Sequence, residues 1–317
     1  MICTHIDLIT IASAAAAAQR VPLLLVTYGS EAWEAPWSAV ATRLATRADA
    51  VVATSEYAKR RFLEWSKMRA SQVHVIPRCV DAKRFGLGEK RDDLLRKYHL
   101  RGRTVLLTVA RLVGKERAEG IDEVMESLTE IAREIPNISY LIVGEGPDRD
   151  RLEQKAAALG LDNRVVFAGY VSDSEKADHF RLGDAYAMPG KGESSGAAFL
   201  EALASGLPIV ASSLDASGEI VLNRSFGRAV DPNHPEELQA AVIEVLSDPE
   251  RAVPRELSNF SRERFNARLG WLLAELGVGD AASHPTPTHE PEYAGGDDSR
   301  GVYGVKSPPT VAVAVER

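Results

Sequence analysis

Val105-Leu106-Leu107-Thr108-Val109 is followed by a segment at 120–134 with helical periodicity, and then by Tyr140-Leu141-Ile142-Val143-Gly144. A short, almost continuously apolar run is what a strand buried on both faces looks like, and such a strand needs helices above and below it. The pattern repeats outward in both directions. Runs at 23–26, 50–53, 73–76, 165–168 and 209–211 alternate with periodic segments at 8–19, 36–47, 56–68, 148–159, 196–205 and 235–247. Strands alternating with helices predict βαβ units and parallel sheets, an α/β fold. No repeat of fixed period is visible.

The 317 residues suggest two domains at roughly 150 residues each. Residues 81–97 are strongly charged, and Gly86, Gly88 and Gly102 punctuate the region. The expected units are therefore a partial domain at 1–85, a linker at 86–102 and a second domain at 103–250. Phe260, Phe265, Leu269, Leu272, Leu273 and Leu276 have helical spacing, which predicts an amphipathic helix within 251–279. Residues 280–317 are rich in Pro, Gly, Ser and Asp and are expected to be disordered. A domain usually needs about 100–150 residues. Residues 1–85 would thus supply only the last strands of the first domain, with an unpaired sheet edge that invites self-association.

Composition narrows the function. Apolar residues are 45% and charged residues 26% of the chain, an ordinary globular profile. A formal charge of -7 argues against nucleic acid as a partner, which would need a basic face. The two cysteines, Cys3 and Cys79, cannot build a disulfide scaffold or a multi-cysteine zinc site, and they fit a reducing, cytoplasmic setting. No uncharged run reaches the ~18–20 residues of a membrane helix. Residues 8–18 are alanine-rich, but Asp7 interrupts the start and no Lys or Arg precedes them, so a buried helix is expected rather than a signal peptide. The histidines show no metal-ligand spacing, and no metal site is expected.

A parallel α/β sheet binds ligands beyond the carboxyl ends of its strands. Four loops qualify: 110–120, Gly144-Glu145-Gly146-Pro147, Gly169-Tyr170-Val171, and Pro189-Gly190-Lys191-Gly192-Glu193-Ser194-Ser195-Gly196. None has the G-x-G-x-x-G opening of a dinucleotide site, which argues against a nicotinamide-dependent oxidoreductase. In the fourth, Glu193 precedes a helix expected from Gly196 to Ser205, and Glu201 lies just over one turn inside it. The amides of Gly196, Ala197 and Ala198 would face the same mouth, where a helix N-terminus favours phosphate. Two carboxylates beside an anion site suit a ligand with hydroxyls near phosphates, such as a nucleotide sugar. Taken alone, the spacing fits two solvated glutamates as well.

The run from Glu193 through Gly206-Leu207-Pro208-Ile209-Val210-Ala211-Ser212 to Gly218-Glu219-Ile220-Val221 resembles the donor-binding region of retaining GT-B glycosyltransferases, family 4. Val143-Gly144-Glu145-Gly146-Pro147 is similar to that family's second donor loop, and Val165-Val166-Phe167-Ala168-Gly169-Tyr170-Val171 to its third. Val75-Ile76-Pro77-Arg78-Cys79-Val80-Asp81 with Phe85 is similar to its interdomain segment. The resemblance implies two Rossmann-like domains facing a cleft, the N-terminal one incomplete here. It implies transfer of sugar from a UDP- or GDP-linked donor to a saccharide or lipid-linked acceptor in cell-surface polysaccharide or glycolipid assembly. Neither cofactor nor metal is implied, and peripheral contact with the inner membrane face is compatible with a lipid-linked acceptor.

The resemblance also assigns roles. Glu201 would bind the ribose hydroxyls, Glu193 the donor sugar, and the backbone around Gly169 and Tyr170 the base, with Gly144 and Gly146 in the neighbouring donor loop. Arg111 would face the diphosphate, stabilising charge as the glycosidic bond breaks. His5 resembles a strand-end histidine near the donor sugar, although such a residue can also simply cap the next helix. Tyr28-Gly29-Ser30-Glu31-Ala32-Trp33 would line the cleft, and Trp33 and Trp37 suit either a sugar acceptor or core packing. The chain departs from the pattern at Glu119, where the family places a lysine before a glycine, here Gly120. Lys115 can take that role, Glu119 can point away, or catalysis is impaired. Ser194-Ser195 replaces the usual Gly-aromatic pair. From the short first domain the expectation is nucleotide binding with slow transfer or none.

Overall fold

The computed structural model describes residues 1–36, 38–114, 119–193, 195–221, 226–247 and 251–278. Its first unit runs β1 Ile2–Cys3, α1 Ile9–Gln19, β2 Leu24–Thr27, α2 Ala39–Ala45, β3 Ala50–Ala53, α3 Glu56–Ser66 and β4 Val73–Val75. Two short helices follow, α4 Ala82–Phe85 and α5 Asp92–Lys97. The second unit begins β5 Thr104–Val109, α6 Ile121–Glu134, β6 Ile138–Val143, α7 Arg149–Ala158 and β7 Val165–Gly169. It continues α8 Lys176–Leu182, β8 Ala185–Ala187, α9 Ala197–Ala204, β9 Ile209–Ser212, β10 Gly227–Val230 and α10 Pro235–Ser247, and the described chain closes with α11 Arg262–Glu275.

All strand pairs are parallel. The first sheet has the order β1-β2-β3-β4, and the second β10-β9-β8-β5-β6-β7. Read from β7, the second sheet follows the 3-2-1-4-5-6 order of a doubly wound fold, with its reversal between β5 and β8. The crossovers from β5 to β6 and from β5's other neighbour β8 to β9 diverge at that point. The loops after Val109 and Ala187 therefore part and leave a crevice. Every residue of β6 is buried, as a strand covered on both faces requires. Beneath the crevice the Thr108 hydroxyl lies 2.7 Å from the Tyr140 hydroxyl and also donates to the Ala187 carbonyl, tying β5, β6 and β8 together.

Several elements lie outside the expected pattern. β1 with two residues and β8 with three are implied only by the strand ends at His5 and before Pro189, and β10, interrupted by Arg228, has no counterpart among the apolar runs. Helices α4, α5 and α8 are a few residues long, below the length at which periodicity declares itself. Residues 86–102, expected as a linker, are packed structure. Leu94, Tyr98 and Leu100 join the core beneath β5 with Leu107, Phe180 and Leu182. The charge there is tethered: Lys90 Nζ lies 2.6 Å from Asp184 Oδ1, and Asp184 Oδ2 accepts from the Val105 amide at 2.8 Å.

The C-terminal helix crosses back to the first sheet. Leu272 of α11 is buried against Leu24, Val26, Ala50, Val52 and Ile76, with Phe265, Leu269, Leu273 and Leu276 alongside. On the other face of that sheet, α1, α2 and α3 enclose a core of Ile9, Leu25, Val51 and Phe62. Residues 280–317, expected as a tail, lie outside the described residues.

Candidate active site in the interdomain cleft

A cavity of about 730 Å³ opens between the two units, at the end of the second sheet where its strand order reverses. That volume is in the range of small-molecule sites. The first unit contributes Tyr28, Gly29, Glu31, Trp33 and Arg78. The second contributes the end of β5 with Arg111, Glu119 ahead of α6, Lys176 at the start of α8, the loop after β8 and α9 as far as Glu201.

Helix α9 sets the donor-side wall. Its cap, Gly196, has φ +64°, and a Cβ there would stand 2.5 Å from Ile220 Cγ1, so both conformation and space demand glycine. Phe199, Leu200, Leu203 and Ala204 bury the opposite side of the helix. Ala197, Ala198 and Glu201, three and four residues apart, share the face that lines the cavity. Glu201 Oε2 turns inward to a close ionic contact with Lys176 Nζ at 2.5 Å, outside hydrogen-bonding geometry. Among the described residues no side chain caps the amides of α9, and Ala197 and Ala198 at its start line the cavity.

Glu193 closes the mouth of the same helix. Its Oε1 accepts from the amides of Ser195 at 2.7 Å and Gly196 at 2.9 Å. The Gly196 amide, expected to be open to a ligand, is thus held by Glu193. The backbone of Glu193 is held in turn by Asp215. The Glu193 amide donates to Asp215 Oδ2 at 3.0 Å, while Ser217 donates to Oδ1 from its amide at 2.9 Å and its hydroxyl at 2.6 Å. Burial pushes the Asp215 carboxyl up to about 7, against the pull of those donors. An acid with a raised folded-state pKa holds its proton after the unfolded chain has lost it. From this group, stability falls as pH rises from the ordinary value of 3.8 toward about 7 and is level above it. Urea denaturation across that window is expected to show the fall, and Asp215→Asn is expected to flatten it; parallel curves for the two proteins would refute the assignment.

Glycines hold the loop that carries Arg111. A Cβ on Gly144, at φ +145°, would lie 1.8 Å from the Ala110 carbonyl oxygen, and one on Gly146 would lie 2.1 Å from that of Leu112. The close approach lets the Leu112 amide donate to Glu145 O at 3.1 Å and the Asp148 amide to Leu112 O at 3.0 Å. The Gly144 amide extends the chain of bonds to Gly169 O at 3.0 Å. Gly144, Gly146, Gly169 and Tyr170 do not line the cavity, and Tyr170 is 79% exposed. Gly144 and Gly146 act from behind, by placing the strand-end loop whose Arg111 does line it.

Glu119 lines the cavity beside Arg111. Lys115 lies outside the described residues, as do Trp37 and Ser194. His5 is not among the lining residues. Its Nδ1 accepts from the Asp7 amide at 3.3 Å, capping the short 3₁₀ turn Ile6–Leu8. The expected sugar-side histidine is therefore seen as a cap. Trp33 lines the cavity and also packs edge-on against Tyr57 at 5.2 Å between centroids, the packing contact its sequence allowed.

The sequence reading missed three contributors. Lys176 begins α8, a helix too short to announce itself. Lys191 stands in the quoted loop after β8 and lines the cavity, with Nζ 2.5 Å from Asn233 Oδ1. Asp215 sits in an ordinary turn sequence, and nothing local marks its contact with Glu193 from 22 residues away. Among the described residues no three His, Cys, Asp or Glu side chains gather as a metal site, and no helix is long and apolar enough to cross a membrane.

The comparisons with known proteins agree with this architecture. The profile of glycosyl transferases group 1 matches residues 90–264, and that of Glycosyltransferase Family 4 matches residues 2–84. A GDP-mannose-dependent alpha-(1-6)-phosphatidylinositol monomannoside mannosyltransferase of Mycolicibacterium smegmatis is 32% identical over 247 residues, covering 73% of this chain and 64% of that protein. The protein of the same description from Mycobacterium tuberculosis is 32% identical over 277 residues, covering 82% of this chain and 69% of its own length. The chain thus spans about two thirds of these relatives. Among solved structures, Anabaena Alr3699/HepE in complex with UDP superposes with a TM-score of 0.71 at 20% identity, over 86% of this chain and 78% of that one. The fold is GT-B, with two Rossmann-like domains. By the profile across its second domain and by these relatives, the chain belongs to the glycosyl transferases group 1, within the family 4 enzymes of GT-B fold.

Proposed function

We propose that the chain binds a nucleotide-diphosphate sugar in this cleft and transfers the sugar, with retention, to a hydroxyl of a saccharide or lipid-linked acceptor. The observation that carries the reading is the wall of α9, where a half-buried carboxylate on Glu201 and the amide-bearing residues Ala197 and Ala198 share one face. A ribose diol donates to the carboxylate, and the amides with Arg111 and Lys191 take the diphosphate. These groups stabilise the leaving group without a metal. In the transfer, the acceptor oxygen bonds to the anomeric carbon on the face the diphosphate leaves, the carbon–oxygen bond to phosphate breaks, and the hydroxyl proton passes to the departing phosphate oxygen. Glu193, fixed at the helix mouth, contacts the sugar. The relatives' GDP-mannose dependence and the UDP bound to the structural neighbour make guanosine and uridine the first donor bases to compare. A lipid-linked acceptor would bring the chain to a membrane surface, on the cytoplasmic side.

Glu119 favours a second reading, a nucleotide-sugar-binding protein with little or no transfer, because a carboxylate in the diphosphate wall opposes the charge of the ligand. At 4 Å and an effective dielectric of 20, one such pair is worth about 4 kcal/mol before screening. Titration calorimetry with GDP and UDP tests both readings. One diphosphate is expected to bind, and Glu119→Gln is expected to tighten it about tenfold, or ~1.4 kcal/mol. Absence of binding by either diphosphate would overturn both readings; binding without product from GDP-mannose or UDP-glucose and a range of acceptors would select the second. The apolar surface of Ile2, Leu8, Ile11 and Val40 beside edge strand β1 supports self-association, which sedimentation velocity would show as a concentration-dependent dimer.

A further inference from the structure

Glu219 lies in the 3₁₀ turn Ala216–Ile220, after β9 of the second unit, yet its hydrogen bonds go to the first. Oε1 accepts from the Tyr57 amide at 2.6 Å and Oε2 from the Glu56 amide at 3.0 Å, across 162 and 163 residues of sequence. These are the first amides of α3, groups a helix leaves unpaired, and the positive end of its dipole faces the carboxylate. Ser55 supplies the other cap of that helix, its hydroxyl accepting from the Ala58 amide at 3.0 Å. Glu219 therefore completes the cap of a helix in the opposite domain.

Both ends of this contact lead to the cavity. On the first unit, the ring of Tyr57 packs on Trp33, which lines the cavity wall. On the second, the same turn carries Asp215, Ala216 and Ser217. The Ala216 amide donates to Glu193 O at 3.1 Å, and Asp215 accepts from the Glu193 amide. Three residues thus separate Glu219, which makes the interdomain bond, from Asp215, which fixes Glu193, within one tight turn whose residues Ala216, Ser217 and Ile220 are buried. Parting the domains by even a few ångströms breaks both Glu219 bonds, because hydrogen bonding fails beyond about 3.5 Å.

We propose that Glu219 is a positioning residue, an interdomain latch that couples closure of the cleft to the placement of Glu193. With the latch made, the turn 215–220 is held from both sides, and Glu193 keeps the carboxylate geometry that clasps the Ser195 and Gly196 amides. With it broken, the turn and Glu193 relax together. The proposal deepens the glycosyl-transfer reading where turnover is concerned, while its structural half stands without that reading.

Amide hydrogen exchange on the full chain tests it, with Glu219→Gln and Glu219→Ala compared with wild type. In Glu219→Ala, exchange at Glu56 and Tyr57 is expected to quicken at least tenfold, and exchange at Ser195 and Gly196 to quicken at least threefold. Glu219→Gln, which keeps one acceptor oxygen, is expected to fall between. Melting temperatures of both variants check that they remain folded. In a transfer assay, kcat is expected to fall about tenfold, with the diphosphate Kd and acceptor KM within twofold of wild type. Unchanged exchange at 56 and 57 overturns the latch. Faster exchange there with Ser195 and Gly196 unchanged overturns the coupling, as does an unaltered kcat. Should wild type transfer nothing, the exchange measurements still decide between these outcomes, so failure of the transfer reading is told apart from failure of the latch.

Discussion

Glu201→Ala is expected to weaken the binding of a nucleoside diphosphate by roughly 1–3 kcal/mol, or about 5–150-fold, the range of a lost charge-assisted hydrogen bond. The carboxylate lies one turn inside α9 on the face that lines the cleft. Its Oε2 lies 2.5 Å from Lys176 Nζ and has no hydrogen-bond partner among the described residues. A carboxylate with acceptor capacity left over, ionised and partly desolvated, is suited to a diol. Removing it also releases Lys176, whose ammonium would attract phosphate and mask part of the loss. The double variant Glu201→Ala/Lys176→Met is therefore expected to bind more weakly than Glu201→Ala alone. Calorimetry that finds the diphosphate affinity of a folded Glu201→Ala unchanged would remove this residue from the site.

The second large effect is structural. Gly144→Ala is expected to cost about 3–5 kcal/mol, combining backbone strain with overpacking. The position has φ +145°, outside the range an L-residue readily adopts, and the added Cβ would meet the Ala110 carbonyl oxygen at 1.8 Å. That oxygen belongs to the backbone of a strand end, so it cannot swing aside as a side chain would. Gly102 provides the comparison: φ is +71°, and nothing lies within 4 Å of an added Cβ. Gly102→Ala carries the strain without the collision and is expected to cost about 1 kcal/mol. Denaturant midpoints of the two variants separate the effects. Equal midpoints would mean that the contact between the loops after β5 and β6 yields easily. Because Ala110 precedes Arg111, Gly144→Ala is also expected to lose diphosphate affinity well beyond what its stability explains.

The second domain was legible because its signals are local. β5, β6 and β9 are apolar runs, each with a glycine within three residues of one end, and the sequence alone marks the loops that follow them. Glu201 and Arg111 line the cavity as their spacing and strand-end position imply. What escaped depends on distance in sequence. Nothing near Asp215 shows that it holds Glu193, and nothing near Glu219 shows that it caps α3. The charged look of 86–102 misled for a related reason. Its acids and bases satisfy one another at the surface, Arg101 with Asp92 and Arg91 with Asp93, while Leu94 and Leu100 point into the core. Gly144 and Gly146 read as donor-loop residues, yet what a side chain there would meet is the backbone of the Arg111 loop. His5 offered two readings, and the bond it makes is that of a cap.

The return of α11 to the first sheet bears on how the chain is made. The apolar face formed by Leu24, Val26, Ala50 and Val52 receives its cover from Leu272, which emerges from the ribosome about 220 residues after Val52. At synthesis rates of ~5–20 residues per second, that face waits roughly 10–40 s for its partner. During this interval the nascent first domain carries an uncovered sheet surface, a natural client for a holding chaperone. The second domain completes most of its own core without such a delay. Cutting the gene between the two domains would not yield two self-sufficient halves, since the first would keep its open face and the second would trail an orphaned amphipathic helix. Supplying residues 251–278 in trans, or fusing them after β4 through a flexible linker, is the way to an independent first domain.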